Sequence, residues 1–311
     1  MQMYFLKKIH AVIINEQARK ELECWARVYK DGPFEVEIVS SLPPEGTVCK
    51  EANISLEALE EQQGSLWITD CPDIAKILLS TAQGTNRKRA VLAYFHDYSD
   101  EENASDYDGT TSHKDFGCCR YAMMHPLELD GEYFELIYRR LKGLPWDILE
   151  TKRCKLREST VADVRDFYEI YREPSITAYM ENLFPTPEEE SAYLEDYIDK
   201  VYGYYDFGIW TVLDKITGQV IGRIGLSYRE GFEAPELGFV IGVPWQGRGL
   251  AYEVSAAVLS YGKRVLDFER VQAFVEPGNE ASLSLCRKLG LKEMEHLKID
   301  HKEYIRLEIV L

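Results

Sequence analysis

Sixteen consecutive residues decide the fold of the second half of this chain: Glu236-Leu237-Gly238-Phe239-Val240-Ile241-Gly242-Val243-Pro244-Trp245-Gln246-Gly247-Arg248-Gly249-Leu250-Ala251. Glu236–Val243 is rich in β-branched and aromatic residues and reads as a strand. Pro244 ends it, and a long amphipathic pattern from about Leu250 to Leu266 reads as a helix. Between the two, Gly247 and Gly249 let the backbone come close to an anion, and the N–H groups at the helix start point toward it. Arg248 adds a charged donor. The order strand, glycine-bearing loop, helix is therefore a phosphate-binding arrangement.

Outward from this stretch the pattern continues. Downstream come a strand at Val271–Val275, then Asn279-Glu280-Ala281-Ser282, then Cys286-Arg287-Lys288-Leu289-Gly290-Leu291. Upstream, Val220–Tyr228 and Phe207–Leu213 read as strands joined through the turn Asp214-Lys215-Ile216-Thr217-Gly218. Before them stand a strand at Cys154–Glu158, a helix at Thr160–Tyr171 capped by Thr160 with Asp163, and a helix near Thr186–Val201. Glu188, Glu189 and Glu190 suit the positive end of that last helix.

Gln246–Ala251 fits the Gln/Arg-x-x-Gly-x-Gly/Ala signature of the GCN5-related N-acetyltransferase (GNAT) superfamily. The block from Asn279 resembles that family's Asn-x-x-Ser/Ala…Lys-x-Gly-Phe helix, with Leu291 in place of Phe. The resemblance covers residues ~150–311, about half the chain. In style it is nearest to the subgroup of ribosomal-protein N-terminal acetyltransferases, given Cys154-Lys155-Leu156-Arg157-Glu158-Ser159 at its start and Glu236-Leu237-Gly238-Phe239 in its strand.

The resemblance implies a GNAT fold, a central mixed sheet flanked by helices. It also implies acetyl-CoA as co-substrate, with no metal, and direct acetyl transfer to a primary amine. That amine would be a protein N-terminus, a polyamine or a small cationic amine. The backbone of Ile241 and Val243 would hold the pantetheine arm, and the Ile241 N–H would polarise the thioester carbonyl. The N–H groups of Gln246, Gly247, Arg248, Gly249, Leu250 and Ala251 would cradle the pyrophosphate. Asn279 would bond the arm or the surroundings of the sulfur, and Arg287 could reach a CoA phosphate.

Attack requires a neutral amine, which costs a lysine-like amine (pKa about 10.4) more than an α-amine near 8. Glu236, on the thioester strand and upstream of it, is the candidate base. The family often places a Tyr proton donor where this chain has Cys286, so Cys286 and Ser282 are the candidates for that position. Glu181, Asp206 and Glu236 are candidate acids on the acceptor side. A non-catalytic acyl-CoA-binding sensory or interaction protein is the alternative reading, permitted by the Cys286 departure.

The first half reads as strand–helix alternation: strands at His10–Asn15, Phe34–Val39, Ser65–Asp70, Arg89–His96 and Arg120–Met123, with helices at Glu16–Tyr29, Ile74–Thr81 and Asp130–Leu141. The expectation is an α/β chain of two domains. Residues 1–149 form a small three-layer α/β domain with mostly parallel strands, and residues 150–311 carry the chemistry, with a seam in Leu141–Arg153. The first domain would position a substrate or a partner. Asp70, at a strand end, is well placed for chemistry but also suits an ordinary helix entry. Asp106-Tyr107-Asp108-Gly109-Thr110 is similar to the nucleophile loop of haloacid-dehalogenase-like phosphatases. The preceding Glu101-Glu102-Asn103-Ala104-Ser105 forms no strand to carry it, which leaves an acidic glycine turn.

Composition narrows the partners. The 311 residues carry 36 Lys+Arg against 53 Asp+Glu, a net charge of −17 shared by both halves. No basic footprint for nucleic acid exists, and the acidity mildly favours cationic substrates. No apolar run is long enough to span a membrane. Met1–Asn15 is broken by Lys7, Lys8 and His10 and lacks a cleavage site. Seven cysteines, an odd number without a Cys-x-x-Cys pair, fit the reduced thiols of a cytoplasm. The histidines show no zinc spacing. Cys118 and Cys119, if extended, would point to opposite faces and not chelate together. The sequence sets no oligomeric state.

Overall fold

The computed structural model describes residues 5–29, 32–38, 64–80, 89–95 and 116–311. The Asp106–Thr110 turn, Cys49 and parts of the sequence-based ranges Ile74–Thr81 and Arg89–His96 lie outside them, wholly or at their ends. The chain forms two compact units, Met1–Leu144 and Pro145–Leu311.

In the first unit, β1 (Lys8–Val12), α1 (Glu16–Val28), β2 (Glu35–Ile38), β3 (Ser65–Thr69), α2 (Pro72–Ser80), β4 (Ala90–Tyr94), β5 (Tyr121–Met123) and α3 (Gly131–Leu141) follow in order. The sheet runs β2-β1-β3-β4-β5, and every pairing in it is parallel. β3 and β4 are buried at every residue, as expected for strands covered on both faces. Period-two alternation sends Ile9, Ala11, Leu66, Ile68 and Leu92 to one face, where they meet Leu22 and Trp25 of α1 and Phe134 and Ile137 of α3. Val12, Trp67, Val91 and Ala93 go to the other face, against Ile74, Ala75 and Leu78 of α2. Three layers result.

Asp70 is placed at the switch point of this sheet, where β1 is flanked by β2 on one side and β3 on the other. Its carboxylate accepts the N–H groups of Ile14 (2.8 Å) and Asn15 (2.8 Å) and is buried. Asn15 in turn caps α1 through the Ala18 N–H (2.7 Å). Asp70 is thus a brace between two strand ends. Glu135, which sequence reasoning passed over, ties the N-terminal segment down by accepting the N–H groups of Phe5 and Leu6 and pairing with Arg139. Cys118 and Cys119 are not extended: a turn closed by Cys119 N–H to the Phe116 carbonyl (2.7 Å) brings their thiols together. Burial pushes the Cys119 thiol up to about 12, with the neighbouring Cys118 adding to the shift.

The second unit contains β6 (Asp147–Glu150), β7 (Cys154–Arg157), α4 (Val164–Tyr171), α5 (Pro174–Thr177), α6 (Pro187–Tyr197), the short α7 (Gly203–Tyr205), β8 (Ile209–Asp214), β9 (Val220–Ser227), β10 (Glu236–Ile241), α8 (Leu250–Arg264), β11 (Arg270–Val275), α9 (Glu280–Leu289), β12 (Lys292–Ile299) and β13 (Lys302–Val310). Its sheet runs β12-β13-β11-β10-β9-β8-β7-β6 and is mixed: β10 and β11 are parallel, and the other neighbours are antiparallel. α8 and α9 cover one face through Leu250, Val254, Val258, Leu283 and Cys286. On the other face, Ile170 and Tyr171 of α4 pack with Val240 of β10, and Phe167 packs with Leu194 of α6.

Local chemistry explains several element starts. The Thr160 N–H bonds Asp163 (2.9 Å), whose carboxylate also takes Arg157 through two bonds, so the first helix turn is pinned to β7. Thr186 and Glu189 cap α6 reciprocally. Glu190 does more than complement the helix end: it is buried and accepts the Phe184 N–H (3.0 Å). β6 lies within the stretch that reads as a seam and straddles the 149/150 division, with Asp147–Leu149 on its first side, yet it pairs with β7.

Candidate functional site

The site begins where two parallel strands part. β10 and β11 share one register pair, Glu236↔Gln272, whereas β11 pairs with β13 over six residues on its other edge. The Gly242 N–H bonds the Ile221 carbonyl (2.8 Å), which sets the phase of β10. Amide directions alternate along a strand, so Gly238 and Val240 bond toward β9 while Phe239 and Ile241 face the opening beside β11. The Ile241 N–H therefore points into the gap. Its carbonyl, on the same side, is taken by Gln246 Nε2 (2.8 Å).

Gln246 is a brace whose backbone N–H is not open to a ligand, because it bonds the Val243 carbonyl (3.1 Å) in the tight turn Val243–Trp245. This corrects the expectation that it joins the phosphate cradle. Beyond it, Gly247 (φ +70°) and Gly249 (φ +73°) hold the left-handed conformation that favours glycine. A Cβ on Gly247 would meet nothing within 4 Å, so open space faces the turn. Gly249 caps α8 without a side-chain bond, leaving the first N–H groups, Leu250 and Ala251 among them, without helical partners. Arg248 lies 5.1 Å over the Trp245 ring.

The other wall is the start of α9. Asn279 Oδ1 accepts the Ser282 N–H (3.2 Å), so Asn279 caps the helix and Ser282 stands in its first turn. Tyr179, after α5, donates to the Gly278 carbonyl (3.1 Å) in the turn just before Asn279. Arg287 does not reach the opening freely: it is bound through two nitrogens to Glu293 (3.1 and 2.5 Å). Its neighbour Lys288 instead stands 4.7 Å over the ring of Tyr252 in the first turn of α8. Cys286 is fully buried among Leu283, Leu291 and Leu307, and burial pushes its thiol up to about 12. It is a packing residue, and the expectation of a proton donor there is withdrawn.

On the face opposite α8, Glu236 is held by Arg229 through Nε (2.7 Å) and Nη2 (3.2 Å). Arg229 lies 5.0 Å over Phe274 and 5.8 Å over Tyr304, so the pair rests on an aromatic floor. Of the other two candidate acids, Glu181 is exposed but lies near enough to Arg229 and Lys302 to favour the charge on both, whereas Asp206 takes the left-handed position that ends α7. Sequence reasoning missed Arg229, Lys288, and the pair Arg153–Glu253 beside the glycine turn (2.7 Å). Among the described residues, no group of three or more His, Cys, Asp or Glu is placed to hold a metal ion, and no helix is long and apolar enough to cross a membrane.

The family model that matches is the acetyltransferase (GNAT) domain, over residues 153–292. The Bacillus subtilis (strain 168) protein YkkB is 32% identical over 89 residues, 28% of this chain and 52% of that protein. The ribosomal protein uS5-alanine N-acetyltransferase of Escherichia coli (strain K12) is 33% identical over 94 residues, 30% of this chain and 47% of that enzyme. Each of these alignments spans about half the relative's length. Among solved structures, an acetyltransferase (GNAT family) from Bacillus anthracis is 20% identical, with a TM-score of 0.45, over 53% of this chain and 98% of that one.

Proposed function

We propose that the second unit, whose residues 153–292 match the acetyltransferase (GNAT) domain model, transfers an acetyl group from acetyl-CoA directly to the α-amine of an amino-acyl or peptide acceptor. The carrying observation is the parting of β10 and β11, with the Ile241 N–H aimed into the gap next to a glycine turn whose amides are unspent. These residues fit the co-substrate: an extended arm between the strands, and a pyrophosphate at Gly247–Ala251. Acetyl-CoA supplies an activated acyl group with a thiol leaving group.

The chain's own residues supply the rest. The Ile241 N–H stabilises negative charge developing on the thioester oxygen. The Val243 backbone and Asn279 line the arm. Glu236, fixed by Arg229, retains lone pairs on its oxygens to receive the ammonium proton, directly or through water. With Cys286 in the core, that thiol does not serve the leaving group, and Ser282, in the first turn of α9, is the candidate hydroxyl.

The acceptor choice rests on two points. An α-amine is neutral at lower pH than a lysine-like or polyamine nitrogen. Two of the acids there, Glu236 and Glu276, are paired with Arg229 and Lys302, so a polycation would have to displace these partners to use them. The uS5-alanine enzyme named above acts on such an amine. For the first unit we propose a binding role, since Asp70 is consumed by two backbone bonds.

The test is thermal unfolding with acetyl-CoA, CoA and ATP, followed by acetyl transfer to an alanine-initiated peptide. Glu236→Gln should retain CoA binding and lose at least about tenfold in turnover. CoA binding without turnover by either form would favour a non-catalytic acyl-CoA sensor. That second reading draws on the engagement of both Glu236 oxygens. No stabilisation by any CoA species would reject both readings.

A further inference from the structure

We propose that Arg153 sets the affinity of the second unit for its anionic co-substrate, by masking the Glu253 carboxylate from the phosphates and presenting its remaining N–H to the Gly247–Gly249 turn. The inference rests on the acetyl-CoA reading and adds a residue from the opposite end of the unit's sequence.

An acid in the first turn of a helix ordinarily stabilises that helix. At a helix start that also receives phosphates, the same charge repels the ligand. Glu253 occupies that position in α8. Its carboxylate is drawn aside by three donors: Thr151 Oγ1 (2.7 Å), the Arg153 N–H (2.8 Å) and Arg153 Nε (2.7 Å). Partial burial alone would raise its pKa, but the bonds from Thr151 and Arg153 outweigh this and hold the carboxyl below the usual range. Glu253 is therefore an anion at neutral pH, where the phosphates are charged as well.

Arg153 is more than the acid's partner. Its Nη1 donates to the carbonyl of Arg248 (2.8 Å), the residue between the two left-handed glycines. Its Nη2 lies 3.7 Å from where a Cβ on Gly249 would sit. One planar guanidinium thus neutralises the competing carboxylate, occupies the loop carbonyl of Arg248, and keeps donors at the turn. Thr151 and Arg153 precede β7 and Glu253 lies on α8, so only the fold brings them together.

The experiment is titration of the full chain with CoA, for the unaltered protein and for Arg153→Met, Arg153→Lys and Glu253→Gln. Arg153→Met exposes the carboxylate and removes a charged donor, and should weaken CoA binding roughly tenfold. Arg153→Lys keeps the charge without the fork and should fall between. Glu253→Gln removes the repelling charge and should tighten CoA binding about twofold at low salt. The Arg153→Met defect should shrink as salt rises.

A pair that merely braces the loop predicts something else: Arg153→Met and Glu253→Gln would weaken binding alike. Equal losses, or normal binding by Arg153→Met, overturn this inference and leave the acetyl-CoA reading standing. No CoA binding by the unaltered chain overturns both. Arg153 is 42% exposed, so its replacement spares the core, and Arg153→Lys decides the matter if Arg153→Met fails to fold.

Discussion

Both units have a place where neighbouring parallel strands end beside a helix start, and they treat it in opposite ways. In the first unit the ends of β1 and β3 are joined by Asp70, whose two oxygens consume the Ile14 and Asn15 amides. In the second, β10 and β11 separate after Glu236↔Gln272, and nothing on the strands consumes the Ile241 amide. The first crevice is closed by a side chain that the unit itself provides. The second keeps donors unspent, as a binding site must. Open α/β architecture supplies candidate crevices at such ends, and the fate of the backbone N–H groups tells the open one from the braced one.

The open crevice is the more fragile to steric change. Gly222, paired with Ile241 across β9 and β10, has no room for a side chain, because a Cβ would overlap the Val240 carbonyl oxygen and press on Ile241. Both obstacles include backbone and cannot swing aside. Gly222→Ala should destabilise the second unit by about 3 kcal/mol and abolish CoA binding, read by unfolding and titration. Retained CoA affinity would show that the β10 edge is not the wall of the site.

The braced crevice should respond in stability alone. Asp70→Ala leaves two buried or half-buried N–H groups without their acceptor, at a cost of about 2 kcal/mol. Amide exchange at Ile14 and Asn15 should accelerate, with CoA binding unchanged. Weaker CoA binding by this variant would mean that the first unit takes part in the co-substrate site, and the contrast between the crevices would fall.

What the sequence carried and what it hid divide along physical lines. Strand β10, its glycine turn and α8 were legible because each has a local signal: β-branched content, glycines, an amphipathic period. Thr160 with Asp163 was legible for the same reason. β12 was not, because Lys292-Glu293-Met294-Glu295-His296-Leu297-Lys298-Ile299 is an edge strand exposed over most of its length and has no apolar alternation to detect. β6 is four residues at the opposite edge. At the site, adjacent positions were confused: Arg287 and Lys288 differ by about 100° around α9, and only the helix phase shows that Lys288 faces α8. Gln246 was misjudged because a tight turn consumed its N–H. Arg153 and Glu253, far apart in the chain, had no signal to find.

The smallest expected effect concerns pH, and it too separates the units. His10 on β1 stacks on Trp67 (4.5 Å between rings) and is nearly buried. Its pKa is lowered from 6.5, first by burial and then by Lys8, with Glu37 acting in the opposite sense. Lys8 and Glu37, themselves paired at 2.8 Å, are the charged groups that shift it. A folded-state value below the unfolded one means that the unfolded chain takes up the proton more readily once pH drops to about 6.5. Stability of the first unit is therefore complete above that pH and declines as pH falls from there through the folded value. Amide exchange, corrected for the intrinsic rate at each pH, should show protection in β1 and β3 falling between pH 7.5 and 5.5, and His10→Phe should remove that fall. If protection in the two strands is flat across that range, or the fall persists in His10→Phe, His10 is not the group that makes the first unit acid-sensitive.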